Sequence, residues 1–240
     1  MIIERNKSMK KITLLRNVGI ACVFILGAAG CATEQNGQHF PTKYHTTDNR
    51  IAEVGRRTKT DDGWTFREPH MDKCWIAADF NFTGYDTLYI APTLSTAVAK
   101  DDEDRRMIEI AKDTVVVEFK RLFQLRGLFT NVVTKESDIP AGAHALKLEQ
   151  TIIDFNKGSM GARIWAGEFG AGQPVLSVAG KMTAGDQPVF TYEARRSGVS
   201  VGAHLGVMMG GDIQVEDVRS MALDVADFAA AMAGKYRPAN

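Results

Sequence analysis

The sequence is short of almost everything that would advertise a chemistry. Its 29 basic and 29 acidic residues cancel, so there is no basic excess of the kind that nucleic-acid binding requires. Five histidines occur, His39, His45, His70, His144 and His204, and none stands in His-x-x-x-His or His-Glu-x-x-His spacing, which speaks against a helical zinc site. No Gly-x-Ser-x-Gly elbow is present: Ser159 sits in Lys-Gly-Ser-Met-Gly, with Gly158 beside it rather than two residues before, and Ser177 lies outside such a pattern too. Glycine is plentiful, yet its spacing fails both phosphate-binding motifs. Gly170-Ala171-Gly172 is followed by Gln173-Pro174-Val175, so the third glycine of a dinucleotide loop is missing and a strand follows instead of a helix. Gly206 and Gly211 have P-loop spacing, but Asp212 stands where the lysine belongs, and a carboxylate there repels phosphate. We expect no nucleotide, no nucleic acid, no cofactor and no metal.

Long apolar runs are also scarce. The longest, Val18–Ala29, has twelve residues, too short for a bilayer span of about 20 residues but suited to the core of a signal peptide. Met9-Lys10-Lys11 and Arg16 form a positive flank before it, which makes Met9 a better start than Met1. Ala28-Ala29-Gly30-Cys31 follows and resembles the lipobox of bacterial lipoproteins, although Ala28 stands where leucine is usual. The resemblance implies cleavage before Cys31, diacylation of Cys31 and membrane attachment through that lipid. Ala32, which is not the aspartate associated with inner-membrane retention, implies the periplasmic side of the outer membrane. Without residues 1–30 the chain carries 24 basic and 28 acidic residues; that surface has no pull toward anionic head groups, so the acyl chains must do the anchoring. Cys22 leaves with the signal and Cys31 carries lipid, so only Cys74 remains, no intrachain disulfide is possible and the fold rests on its core.

Residues 32–70 sustain neither helical nor strand periodicity, which reads as a polar tether or loosely docked arm. We therefore expect three parts: a signal peptide at 1–30, a lipidated N-terminus and tether at 31–74, and one globular domain at 75–235. Strands are expected at 85–92, 129–134, 145–155, 174–183 and 188–196, the last two joined by a hairpin turn at Ala184-Gly185-Asp186-Gln187. Ile108, Ala111, Val115, Phe119 and Leu122 fall at helical steps over 101–126, with Gly127 as a stop. Val218, Met221, Ala222, Val225, Ala229 and Met232 do the same over 212–233, with Asp212 as N-cap and Gly234 as stop. The order argues an α+β two-layer sandwich, a mixed sheet of about five strands with two helices on one face.

Three further constellations are weaker. Asp101, Asp102, Glu103 and Asp104 could pass for a metal cluster, but acids at a helix start more often serve its cap and dipole. His70-Met71 near Cys74 has soft-ligand chemistry and no supporting spacing. Asp79, Asp86 and Asp154 could pair in space, but single carboxylates near strand ends are usually solvated.

The segment from Leu146 to Gly172 carries a family resemblance. Its alternating strand, Phe155, Gly158-Ser159, Arg163, Gly167, Gly170-Ala171-Gly172 and the strand that follows at Val175–Met182 resemble a family of bacterial lipoproteins known as domain-of-unknown-function 4410. The turn Gly185-Asp186-Gln187 departs from that family's usual flavour. The resemblance spans about 75–233 and implies an envelope protein with no known catalysis and no active site to carry over.

These readings converge on a non-catalytic interaction or envelope-assembly module, with a periplasmic enzyme or small-ligand binder built from separate loops as the alternative. If the strands at 145–155, 174–183 and 188–196 form a meander, the Gly-rich runs 155–174 and 197–211 leave from the same sheet edge. That would bring Met160, Arg163, Ile164, Trp165 and Phe169 beside Leu205, Met208 and Met209 as a contact surface for a partner protein or the membrane.

Overall fold

A computed structural model of the chain describes residues 33–35, 38–67, 71–158, 174–197, 212–235 and 237–238. The elements in chain order are β1 (Thr33–Gln35), β2 (Gln38–Phe40), β3 (Lys43–His45), β4 (Ile51–Glu53), β5 (Arg57–Lys59), β6 (Gly63–Phe66), β7 (Lys73–Ala77), β8 (Thr87–Ile90) and β9 (Leu94–Ser95). Then come α1 (Asp102–Arg126), β10 (Asn131–Val133), β11 (Ala145–Asn156), β12 (Val175–Ala184), β13 (Gln187–Ser197), α2 (Asp212–Met232) and β14 (Arg237–Pro238).

The α+β class holds, with two helices and a mixed sheet. The strand number is corrected: the main sheet has nine strands rather than about five, in the order β10-β8-β11-β12-β13-β7-β6-β5, with β9 continuing the line of β8 along β11. Pro92 lies between β8 and β9, where a residue without an N–H is tolerated because this is a sheet margin. β8, β9 and β10 run parallel to β11 or to one another, and everything from β11 across to β5 is antiparallel. The central meander β11-β12-β13 matches the expectation from sequence.

Alternation decides the two faces. On β11, Leu146, Leu148, Gln150 and Ile152 are buried, while Lys147, Glu149 and Thr151 between them are not. The buried set meets α1 through Ile108, Val115, Phe119 and Leu122 and α2 through Val218, Met221, Val225 and Phe228. Burying each such side chain is worth about 1.5–3 kcal/mol, so this one layer dominates stability. α1 opens on Asp101, whose carboxylate accepts the Asp104 N–H at 2.8 Å, and ends at Gly127 in the left-handed region at φ 59°. The helices lie side by side in the same direction: near their C-terminal ends Lys235 donates to the Gly127 and Leu128 carbonyls at 3.1 and 3.2 Å.

The arm expected over 32–70 is the second correction. Phe40, Tyr44, Trp64 and Phe66 are buried, at 4, 1, 3 and 1 % exposure. Phe66 lies edge-on to Phe228 of α2 at 5.4 Å, and Phe40 edge-on to Phe66 at 5.2 Å. β5 and β6 extend the main sheet, and β3 and β4 join β14 in a three-stranded sheet of their own. The apolar residues are too widely spaced in the chain to show a period because each of these strands is only three or four residues long. Buried charge also fastens this segment. Asp227 of α2 accepts both the N–H and the hydroxyl of Thr47 at 2.7 Å and stands 2.8 Å from Arg126 Nε. Asp224, one turn earlier, pairs with Arg196 and, at 3.4 Å, with Arg50.

Candidate functional site

Both helices cover one face of the main sheet. The other face is open among the described residues, and across its middle runs a groove of about 890 Å³. Its floor follows from side-chain size. Thr151, Ala179 and Thr191 are short, and each lies on a different central strand. Longer side chains stand around them: Lys147 and Glu149 from β11, Lys181 from β12, Glu193 from β13 and Lys73 from β7. Trp75 and Thr65 close the end toward β6, and Tyr89, Pro92 and Leu94 close the other. From β8 to β7 is four strand spacings, about 19 Å.

The charges in the groove are satisfied by one another. Lys73 and Glu193 face each other across β7 and β13 and pair at 2.8 Å. Glu149 lies between Lys147 at 2.8 Å and Lys181 at 3.1 Å. Hydrogen bonds from Lys147 and Lys181 hold the Glu149 carboxyl below its ordinary value. Hydrogen bonding to Glu193 raises the Lys73 ammonium, and hydrogen bonding to Glu149 raises Lys147. All three shifts run away from neutral pH. These groups stay charged and donate or accept hydrogen bonds, and none of the three is tuned to shuttle a proton.

Trp75 is held by an absence. A Cβ on Gly63, diagonal to it on β6, would stand 2.7 Å from Trp75 Nε1 and closer still to the Ile76 carbonyl oxygen. The indole therefore lies where only glycine permits it. The opposite face repeats the device: a Cβ on Gly180 would clash with Cε1, Cζ and the hydroxyl oxygen of Tyr192. There the phenol is buried, stacked on Phe119 at 6.0 Å, and accepts a hydrogen bond from Gln150 Nε2 at 2.8 Å.

The residues singled out from sequence fare differently. Cys31, Met160, Arg163, Ile164, Trp165, Phe169, Leu205, Met208 and Met209 lie outside the described residues, as does His70. The points from which the two Gly-rich runs depart are described: Asn156 pairs with Val175, and Val175 with Ser197, so the three ends stand in one row. The acids at the start of α1 serve the cap and Lys157, whose ammonium sits 2.7 Å from both Asp101 and Glu103. Asp86 and Asp154 are not brought together: Asp86 bonds the His144 N–H just before β11, and Asp154 sits at a bulge nine residues beyond Ala145. Among the described residues no group of three or more His, Cys, Asp or Glu is spaced for a metal ion. Asp217 on α2, at 4 % exposure, is pushed up to about 6 by burial. It belongs to the layer on the far side of the sheet from the groove.

Sequence reasoning missed the groove. Its signal was the period-two charge on consecutive strands: Lys147 and Glu149, then Lys181, then Glu193, with Lys73 on a strand not expected at all.

No protein-family model matches the chain, and no curated protein matches it in sequence. Among solved structures, the PelC dodecamer from Paraburkholderia phytofirmans is similar at 12 % identity and a TM-score of 0.35, over 57 % of this chain and 88 % of that one. A variant of that PelC gives 12 %, 0.34, 57 % and 86 %. A protein from Xanthomonas campestris, of domain-of-unknown-function family 330, gives 12 % and 0.32 over 60 % of this chain and 85 % of its own.

Proposed function

We propose that the protein is a lipid-anchored envelope module that works by binding, held to the outer membrane through Cys31 and presenting the open face of its sheet to a ligand. The observation that carries the reading is the groove: a preformed, largely apolar trough of ligand size whose lysines and glutamates are held in ion pairs with one another. Such groups are placed to donate and accept hydrogen bonds to a ligand. The anchor is supported by the positive flank, the twelve-residue apolar run and Ala28-Ala29-Gly30-Cys31. The residues from Leu146 to Gly172 favour membership in the domain-of-unknown-function 4410 lipoproteins. No helix among the described residues is long and apolar enough to cross a membrane. The Gly-rich runs that contain Trp165 and Met208 remain a second proposed contact.

The test has two arms. Mass spectrometry of the mature N-terminus should find Cys31 acylated, and Cys31→Ser should leave the membrane fraction. A photo-crosslinking residue at position 75 in the lipidated protein should capture an envelope component in cells, and one at Asp113 on exposed α1 should not. An unmodified Cys31, or equal capture from both positions, would refute the corresponding half of the reading.

A further inference from the structure

We propose that the open-face groove binds an uncharged glycan strand of N-acetylated hexosamines, its sugar rings stacked on Trp75 and Tyr89 and its hydroxyl and acetamido groups bonded by the lysine–glutamate pairs between them. This rests on the reading of the groove as a binding surface and assigns its ligand.

Charge is the first argument. Three lysines and two glutamates line the groove, and each is paired with another in it. A polyanion meets two carboxylates and a polycation meets three ammonium groups, so neither is favoured. The pairs still hold spare capacity, because an ammonium has three donors and a carboxylate about four acceptor sites. Donors and acceptors therefore stand side by side around the floor. A hydroxyl, which donates and accepts at one atom, matches that pattern without bringing charge of its own.

Shape and burial give the second. Tyr89 and Trp75 are both half-buried, at opposite ends of a trough about four strand spacings long, roughly 19 Å. That length suits a chain of several rings rather than one sugar. Ala179 between the aromatics, and Pro92 and Leu94 beside Tyr89, offer apolar surface for ring C–H faces and acetamido methyl groups. The indole lies over Gly63, whose missing Cβ leaves room for it, and it is already half-buried without a ligand; a ring so packed has less freedom to lose on binding.

Other occupants fit less well. An extended peptide laid on a sheet face finds the ladder's backbone groups already used and leaves its own unpaired; peptides add at edges instead. An acyl chain would have to desolvate five charged side chains.

The experiment uses the full-length lipidated protein in detergent micelles, titrated with the tetramer of N-acetylglucosamine and, in parallel, with cellotetraose and a polyanionic uronate oligomer. The reading is tryptophan fluorescence and calorimetry. The N-acetylglucosamine tetramer should bind at least tenfold more tightly than either comparator. Trp75→Ala should weaken it at least tenfold, and Glu149→Gln severalfold. Trp75→Phe, which keeps a ring over Gly63, should retain most of the affinity, and thermal melts should show all three variants folded. No binding by the folded wild type, stronger binding of the uronate, or affinity indifferent to Trp75→Ala overturns the assignment. If position 75 still crosslinks an envelope component while the sugar fails, the glycan is wrong and the groove's binding role stands. If both fail, the broader reading falls with it.

Discussion

Two glycines on opposite faces of one sheet do the same local job with different results. Gly180 leaves space for the Tyr192 ring on the helix-covered face, and Gly63 leaves space for the Trp75 indole on the open one. On the covered side the ring is sealed between Phe119 and Gln150 and becomes core. On the open side the indole stays half-buried, with paired charges beside it. A close backbone approach under an aromatic ring is thus neutral as to purpose. What lies above the ring decides whether it supports the fold or faces a ligand.

The largest expected effect tests the covered face through neighbours in sequence. Phe66→Ala should cost about 3–5 kcal/mol in denaturant unfolding, as buried aromatic truncations do, whereas Thr65→Ala, one residue away and on the open face, should stay within about 0.5 kcal/mol. Equal small effects would return residues 38–66 to the status of a loose arm. Next, Gly180→Ala should lose about 1–3 kcal/mol through overpacking, and adding Tyr192→Leu should recover part of that in a double-mutant cycle, since the atoms nearest the new Cβ all belong to that ring. The matching cycle of Gly63→Ala with Trp75→Leu should recover less, because the nearest atom there is the Ile76 backbone carbonyl.

A smaller effect concerns charge on the covered side. Burial raises Asp217 to about 6 from an ordinary 3.8. The folded state therefore binds its proton more tightly than the unfolded state, and the stability this gives is present below about pH 4 and lost as pH rises through 6. Asp217→Asn should stabilise the protein by about 1 kcal/mol at pH 7 and by almost nothing at pH 4, measured by unfolding at the two pH values. A variant equally stabilised at both would show that the carboxylate is not the cause. Smallest of all, Trp75→Phe should change stability by less than about 0.5 kcal/mol, which would separate the platform from the core.

Where long periodic segments exist, the sequence was legible. Both helices and the meander strands fall within a few residues of their expected limits, because Leu146, Leu148 and Ile152 alternate and Ile108 to Leu122 keep helical steps. Strands of three or four residues were not legible: Trp64 and Phe66 alternate only once, too briefly to stand out from chance. The groove was hidden for another reason. Lys147 and Glu149 look like any solvated face until β12, β13 and β7 set Lys181, Glu193, Lys73 and Trp75 around them, and that assembly joins residues more than 100 positions apart.

The fastening of the first strands to the last helix has a temporal consequence. Thr47 meets Asp227 across 180 positions, and β3 pairs with β14 at Arg237 and Pro238. A chain that emerges N-terminus first cannot close these contacts until nearly all of it has arrived. Residues 40–66, though early to emerge, cannot complete their packing before α2 and β14 arrive, whereas the meander closes on nearer neighbours. Until then Phe40, Trp64 and Phe66 stand uncovered, an interval in which the nascent protein is most open to aggregation and to chaperones that hold extended, apolar chain.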